Sequence, residues 1–170
     1  YKKLTLNDEA KSVTKADSNV KIDLGGAAKG YASDCVHEVL KSRGIKYAII
    51  DLGGNICVMG KNPSQPDGSW SVGIQKPFSK SGELSQTIRV SETSVVTSGV
   101  YQRCFNWNGK LYHHILDPSD GYPSDNGENS ASIIYDSALT ADCLATACMV
   151  LSFDAADSLV QKYNARLIYE

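Results

Sequence analysis

A chain of 170 residues with 42% hydrophobic and 21% charged positions is long enough to bury roughly 70% of its unfolded surface in one core, so residues 1–170 are expected to form a single domain. The net charge of -2 leaves no basic footprint and argues against a nucleic-acid partner. No apolar run reaches the ~18 residues of a membrane span, and Tyr1–Ala10 lacks the charged-then-apolar form of a signal peptide. Five cysteines, Cys35, Cys57, Cys104, Cys143 and Cys148, are scattered without a CxxC pair and read as reduced core residues.

The first 24 residues read as two short strands around a polar loop, the second strand closing at Leu24. From Ala27 to Arg43 the apolar residues Ala28, Tyr31, Ala32, Cys35, Val36, Val39 and Leu40 recur at helical spacing, and Gly44 ends the run. The spacing predicts an amphipathic helix with those residues as its apolar face. "KYAIIDLGGNICVMG" gives a strand, a Gly-Gly turn and a second strand, and "WSVGIQKP" resumes the sheet after a polar loop over Asn62–Ser69. "LSQTIRV" and "VYQRCF" alternate like strands, and Asn108-Gly109 marks a tight hairpin into "KLYHHILDP". "SASIIY" is a further strand, Ser137 can cap a helix running through Leu151, "DAADSLVQKY" makes another helix, and "ARLIY" a last strand. The fold class is α+β: a mixed, mainly antiparallel sheet with packed helices, its ligand lying where strand ends meet helix N-termini.

Four segments carry donor groups suited to chemistry. Asp23-Leu24-Gly25-Gly26 precedes the first predicted helix, with Lys29 in its first turn. Free N–H groups and a Lys at a helix N-terminus favour phosphate, although the spacing is neither a P-loop nor GxGxxG. A tight connection with a solvated Lys is the plainer reading. The DLGG tetrapeptide recurs at Asp51. Asp142 and Thr146 lie four residues apart on one helical face, two hard oxygen donors that suit Mg²⁺ better than zinc; an Asp favoured by the helix dipole and a Thr bonded to its own turn would look the same. His113 and His114 fall on opposite strand faces, so one at most serves a site on either side. Asp117-Pro118 with Gly121 is turn chemistry, with Asp117 also able to orient a His. Thr97, Ser98 and Gly99 at a strand end could bind phosphate through hydroxyl and N–H groups, without the GxSxG elbow of a nucleophilic Ser.

The blocks "DLGGAAKGYASD", "IDLGGNI", "WSVGIQKP", "VVTSGVYQRCF", "HILDPSDGYP" and "TADCLATACMVL", in this order, resemble the FAD:protein FMN transferase family, known as ApbE. The resemblance implies Mg²⁺ on the FAD pyrophosphate, release of AMP, and attachment of FMN to a Thr or Ser hydroxyl of an acceptor flavoprotein. It implies a cation held by the main-chain oxygen of Gly26 with Asp142 and Thr146. Asp23 and Lys29 would contact FAD, Leu116 would line its pocket, and His114 would be the general base. Ala145 stands where some relatives carry a further Asp, which leaves one carboxylate fewer for metal or a site for a single ion. The family is longer than this chain, its N-terminal part supplies flavin and adenine contacts, and it is usually exported and anchored near its N-terminus; location is left open here. A Mg²⁺-dependent FAD pyrophosphatase and a non-catalytic FAD-binding remnant are the competing readings.

Overall fold

The computed structural model describes residues 2–170. In chain order the elements are β1 (Leu4–Asn7), β2 (Ser12–Lys15), α1 (Ala28–Ser42), β3 (Ala48–Leu52), β4 (Asn55–Met59), β5 (Trp70–Gln75), β6 (Leu84–Val90), β7 (Thr93–Gly99), β8 (Cys104–Trp107), β9 (Lys110–His113), β10 (Ser130–Tyr135), α2 (Ala138–Cys148), α3 (Phe153–Lys162) and β11 (Arg166–Tyr169). A five-stranded sheet in the order β11-β10-β7-β4-β3 is antiparallel at every pairing. Three separate hairpins, β1-β2, β5-β6 and β8-β9, complete the α+β architecture. No helix among the described residues is long and apolar enough to cross a membrane.

Two apolar layers hold the sheet. On one face Val96 and Ile133 pack with Leu144, Cys148 and Met149 around α2, and with Val160 of α3. On the other, Val58 and Val95 meet Val72, Ile74, Ile88 and Val90 of the β5-β6 hairpin. Each such fully buried side chain contributes up to about 1.5–3 kcal/mol. Helix α2 starts where the sequence places it, because the Ser137 hydroxyl accepts from Thr140 N at 3.2 Å. It ends at Cys148 rather than Leu151, with Met149 as its C-cap. Asn108 and Gly109 both take positive φ, 48° and 75°, as the predicted two-residue hairpin between β8 and β9 requires.

Four expectations need correction. The second strand ends at Lys15, not Leu24; the Leu24 carbonyl accepts from Ala27 N and Ala28 N at 3.0 and 2.8 Å, which commits it to the helix-starting turn. "VYQRCF" is not one strand. Its first four residues turn, with the Tyr101 ring folded back so closely that a Cβ on Gly99 would lie 2.6 Å from it, and pairing resumes at Cys104. The apolar stripe of α1 faces outward, Tyr31 being 61% and Val39 58% exposed. Its buried residues are Gly30 and Ser33, because α1 lies against α2 too closely to admit larger side chains. Of the cysteines only Cys57 and Cys148 are core residues; Cys35, Cys104 and Cys143 are exposed, and all five are free thiols.

Candidate active site at the N-terminus of helix α1

The turn before α1, the C-terminal end of β7, the segment after β9 and one face of α2 converge on a cavity of about 360 Å³. The nine residues given a site role in the sequence all line it, Asp23, Gly26, Lys29, Thr97, Ser98, His114, Leu116, Asp142 and Thr146, while the two other candidates, His113 and Asp117, do not. A larger and more open groove of about 730 Å³ runs beside β2. It offers Lys15 and Lys21 but no carboxylate or imidazole, so it lacks the chemistry of the smaller cavity.

The first DLGG segment builds one wall. Asp23 Oδ1 accepts from Gly25 N at 2.6 Å, an Asx turn that tightens the entry into α1. A Cβ on Gly26 would lie 3.1 Å from Thr146 Oγ1 and 3.2 Å from its Cγ2, so the main chain at Gly26 reaches Thr146 because no side chain intervenes. The second DLGG repeats the Asx turn, with Gly54 N donating to Asp51 Oδ1 at 2.9 Å. There the glycines serve conformation instead: Gly53 and Gly54 have φ of 64° and 90°, and nothing lies near either.

Helix α2 supplies the adjoining wall. Asp142 is 3% exposed, and its Oδ2 accepts from Gly30 N in the first turn of α1 at 2.9 Å. Among the described residues this is its one protein hydrogen bond, and no basic side chain forms an ion pair with it. A nearly buried carboxylate with one oxygen bonded by a single N–H and the other facing a cavity is costly unless a cation or donor reaches it. One turn later Thr146 Oγ1 shares a 3.1 Å hydrogen bond with Ser98 Oγ. Thr97 is less available, its hydroxyl bonded to Ser132 Oγ at 2.7 Å across the sheet. The donor set of Gly26 carbonyl, Asp142 carboxylate and Thr146 hydroxyl is all hard oxygen, which fits Mg²⁺. Ala145 is fully buried in the core, so this chain has no place for a further carboxylate there.

The two histidines divide as alternation requires. His113 is buried and its Nε2 donates to the Ser124 carbonyl at 3.0 Å. His114, just beyond β9, faces the cavity. Burial and then the Arg103 guanidinium hold its imidazole below the usual histidine range, against an opposing bond to the Arg103 main chain. It is therefore neutral near pH 7 and able to accept a proton. Asp117 does not orient it; its carboxylate accepts from Ser119 N at 2.7 Å and stabilises a turn. Sequence reasoning missed Gln102 and Arg103, which also line the cavity. Only the spacing of a turn after Gly99 would have exposed them, and "VYQRCF" read as a strand. With Lys29, Arg103 gives the cavity two cations against the carboxylates of Asp23 and Asp142, a balance suited to a polyanion bound with a metal.

The profile of the ApbE family matches residues 1–168. This chain belongs to the ApbE family. Among curated ApbE-type relatives, a FAD:protein FMN transferase of Treponema pallidum is 35% identical over 158 residues, covering 89% of this chain and 44% of its own length. The ApbE protein of Thermotoga maritima superposes with a TM-score of 0.85 at 33% identity, over 99% of this chain and 54% of that one. The flavin transferase ApbE of Vibrio cholerae gives 0.82 at 29% identity, over 99% and 52%. The α+β fold of this ApbE chain is thus that of its solved relatives. The chain spans less than half the length of that Treponema relative and about half of each solved one.

Proposed function

We propose that this chain carries the catalytic centre of a FAD:protein FMN transferase, which moves FMN from FAD to a Ser or Thr hydroxyl of an acceptor flavoprotein and releases AMP. The observation that carries this reading is the convergence of all nine sequence-selected residues on one cavity; the names of the relatives support it. Residues 1–170 are taken as one unit of that transferase.

Gly26, Asp142 and Thr146 would hold Mg²⁺, which when bound neutralises charge on phosphate oxygens. The protein's own groups do the rest. Lys29 and Arg103 pair with the pyrophosphate, while Asp23 and Leu116 fix the dinucleotide and Ser98 borders its phosphates. His114 accepts the proton of the acceptor hydroxyl as that oxygen bonds to the phosphorus on the FMN side. The phosphorus–oxygen bond to AMP breaks, so FAD and a protein hydroxyl give flavinylated protein, AMP and a proton first held by His114. Such a base contributes roughly 10² to 10⁴ in rate. Positioning and electrostatics supply most of the remainder.

The test is mass spectrometry of an acceptor domain incubated with this chain, FAD and Mg²⁺, with an EDTA control. A Mg²⁺-dependent gain of one FMN supports the transferase. AMP released without the adduct replaces it with hydrolysis by water, and bound FAD with neither product reduces it to a binding remnant.

A further inference from the structure

Helices α1 and α2 cap each other, and only one side of that exchange belongs to the cavity. Asp142 of α2 accepts from Gly30 N in the first turn of α1. One turn further along α1, Asp34 answers: its Oδ1 accepts from Ala138 N at 2.8 Å, and its Oδ2 from Ser137 Oγ at 2.9 Å and Leu139 N at 3.1 Å. A single carboxylate thus satisfies two free N–H groups of the first turn of α2 and holds its N-cap side chain. Its negative charge also sits at the positive end of the helix dipole. The four-residue step from Gly30 to Asp34 matches that from Ala138 to Asp142, so the antiparallel pair is pinned at two points. Between them the helices are in contact, a Cβ on Gly30 falling 2.3 Å from Ala138 O. Neither helix can slide or turn about its axis without breaking bonds at both ends.

This lock sets where the second oxygen of Asp142 points relative to Gly26 and Thr146. We propose that Asp34 is a positioning residue for the cation site, holding Asp142 in the geometry that a divalent ion requires, although Asp34 does not line the cavity. The proposal rests on the reading of Asp142 as a cation ligand. Groups that orient a metal ligand typically change affinity 10- to 100-fold when altered. A residue that merely stabilised the fold would instead lower the unfolding temperature and leave affinity in the folded state unchanged.

The experiment is Mn²⁺ titration followed by the electron paramagnetic resonance of the free ion, on the native chain, Asp34→Asn, Ser137→Ala and Val160→Ala. All are measured well below their unfolding temperatures, with folding checked by circular dichroism. Asp34→Asn should weaken Mn²⁺ binding by about 10- to 100-fold. Ser137→Ala, which leaves both backbone bonds to Asp34, should weaken it several-fold, and gives the readout if Asp34→Asn does not fold. Val160→Ala, a core truncation in α3, should lose stability and keep native affinity. Native affinity in a folded Asp34→Asn, or in Ser137→Ala where Asp34→Asn does not fold, overturns the positioning role, as does equal weakening in Val160→Ala. If the native chain binds no Mn²⁺, the cation reading itself fails and the role of Asp34 with it.

Discussion

Replacing Gly30 with Ala puts a single methyl group where α1 and α2 touch. Gly30 is not among the positive-φ glycines, so its backbone accepts Ala, and Ala gains about 1 kcal/mol over Gly in a helix. Space decides the sign. The added Cβ would meet Ala138 O at 2.3 Å, its carbonyl carbon at 2.7 Å and Asp142 Cβ at 2.8 Å, where ordinary contact begins at 3.4 Å. The helices must part by about 1 Å, a strain of about 1–3 kcal/mol. That retreat also stretches the 2.9 Å bond from Gly30 N to Asp142, and losing a hydrogen bond to a charged group costs about 1.5–3 kcal/mol. With the propensity gain subtracted, the net loss is about 3 kcal/mol. For a chain of this length the unfolding midpoint should fall by roughly 6–12 °C. Thermal and urea unfolding of Gly30→Ala beside the native chain measures it, with Mn²⁺ affinity in the folded state as a second readout that should also drop. A variant as stable as native, or more so, would show that helix propensity outweighs the contact and that α1 and α2 are not locked at this point.

His114→Ala should retain FAD affinity, followed by flavin fluorescence, and lose transfer by roughly 10² to 10⁴; loss of binding with unchanged turnover would remove its role as base. Burial and Arg103 both lower the His114 pKa, so the acidic limb of the rate profile should lie below the ordinary histidine value of about 6.5. Arg103→Ala removes a positive charge that disfavours imidazolium and should move that limb to higher pH; movement to lower pH contradicts the assignment. In the native protein a thiol reagent should reach Cys35, Cys104 and Cys143, while Cys57 and Cys148 should wait for unfolding. Burial pushes the Cys148 thiol up to about 11, so its labelling in the folded chain would refute the packing under α2. Val39→Lys, on the outward face of α1, should change stability by less than about 0.5 kcal/mol in urea unfolding.

Local chemistry was readable where it was local. The Ser137 cap, the Asn108-Gly109 turn and the alternation that separates His113 from His114 each depend on neighbours within a few residues, and all three stand. The outward stripe of α1 was misread because periodicity reports which side is apolar, not which side is buried. The side that packs is made of Gly30 and Ser33, residues that carry no hydrophobic signal. The mutual capping of α1 and α2 joins positions 112 and 104 residues apart, beyond any spacing rule. Arg103 was hidden for a different reason, since a ring folding onto Gly99 ends a strand that composition alone would continue. The nine residues were named from motif blocks, and their convergence on one cavity is a property of the sheet order, with β7 beside β10 and β4 and its C-terminal end under α2.

The most direct test compares FMN transfer to an acceptor domain by the native chain and by Asp142→Asn across a Mg²⁺ titration, read by intact-protein mass. The native chain should give a saturable, EDTA-silenced adduct, and Asp142→Asn should need at least about tenfold more Mg²⁺ or give none. Transfer that persists in EDTA, or an Asp142→Asn chain with the native Mg²⁺ dependence, would contradict the assignment of this cavity as the place where FAD is cleaved.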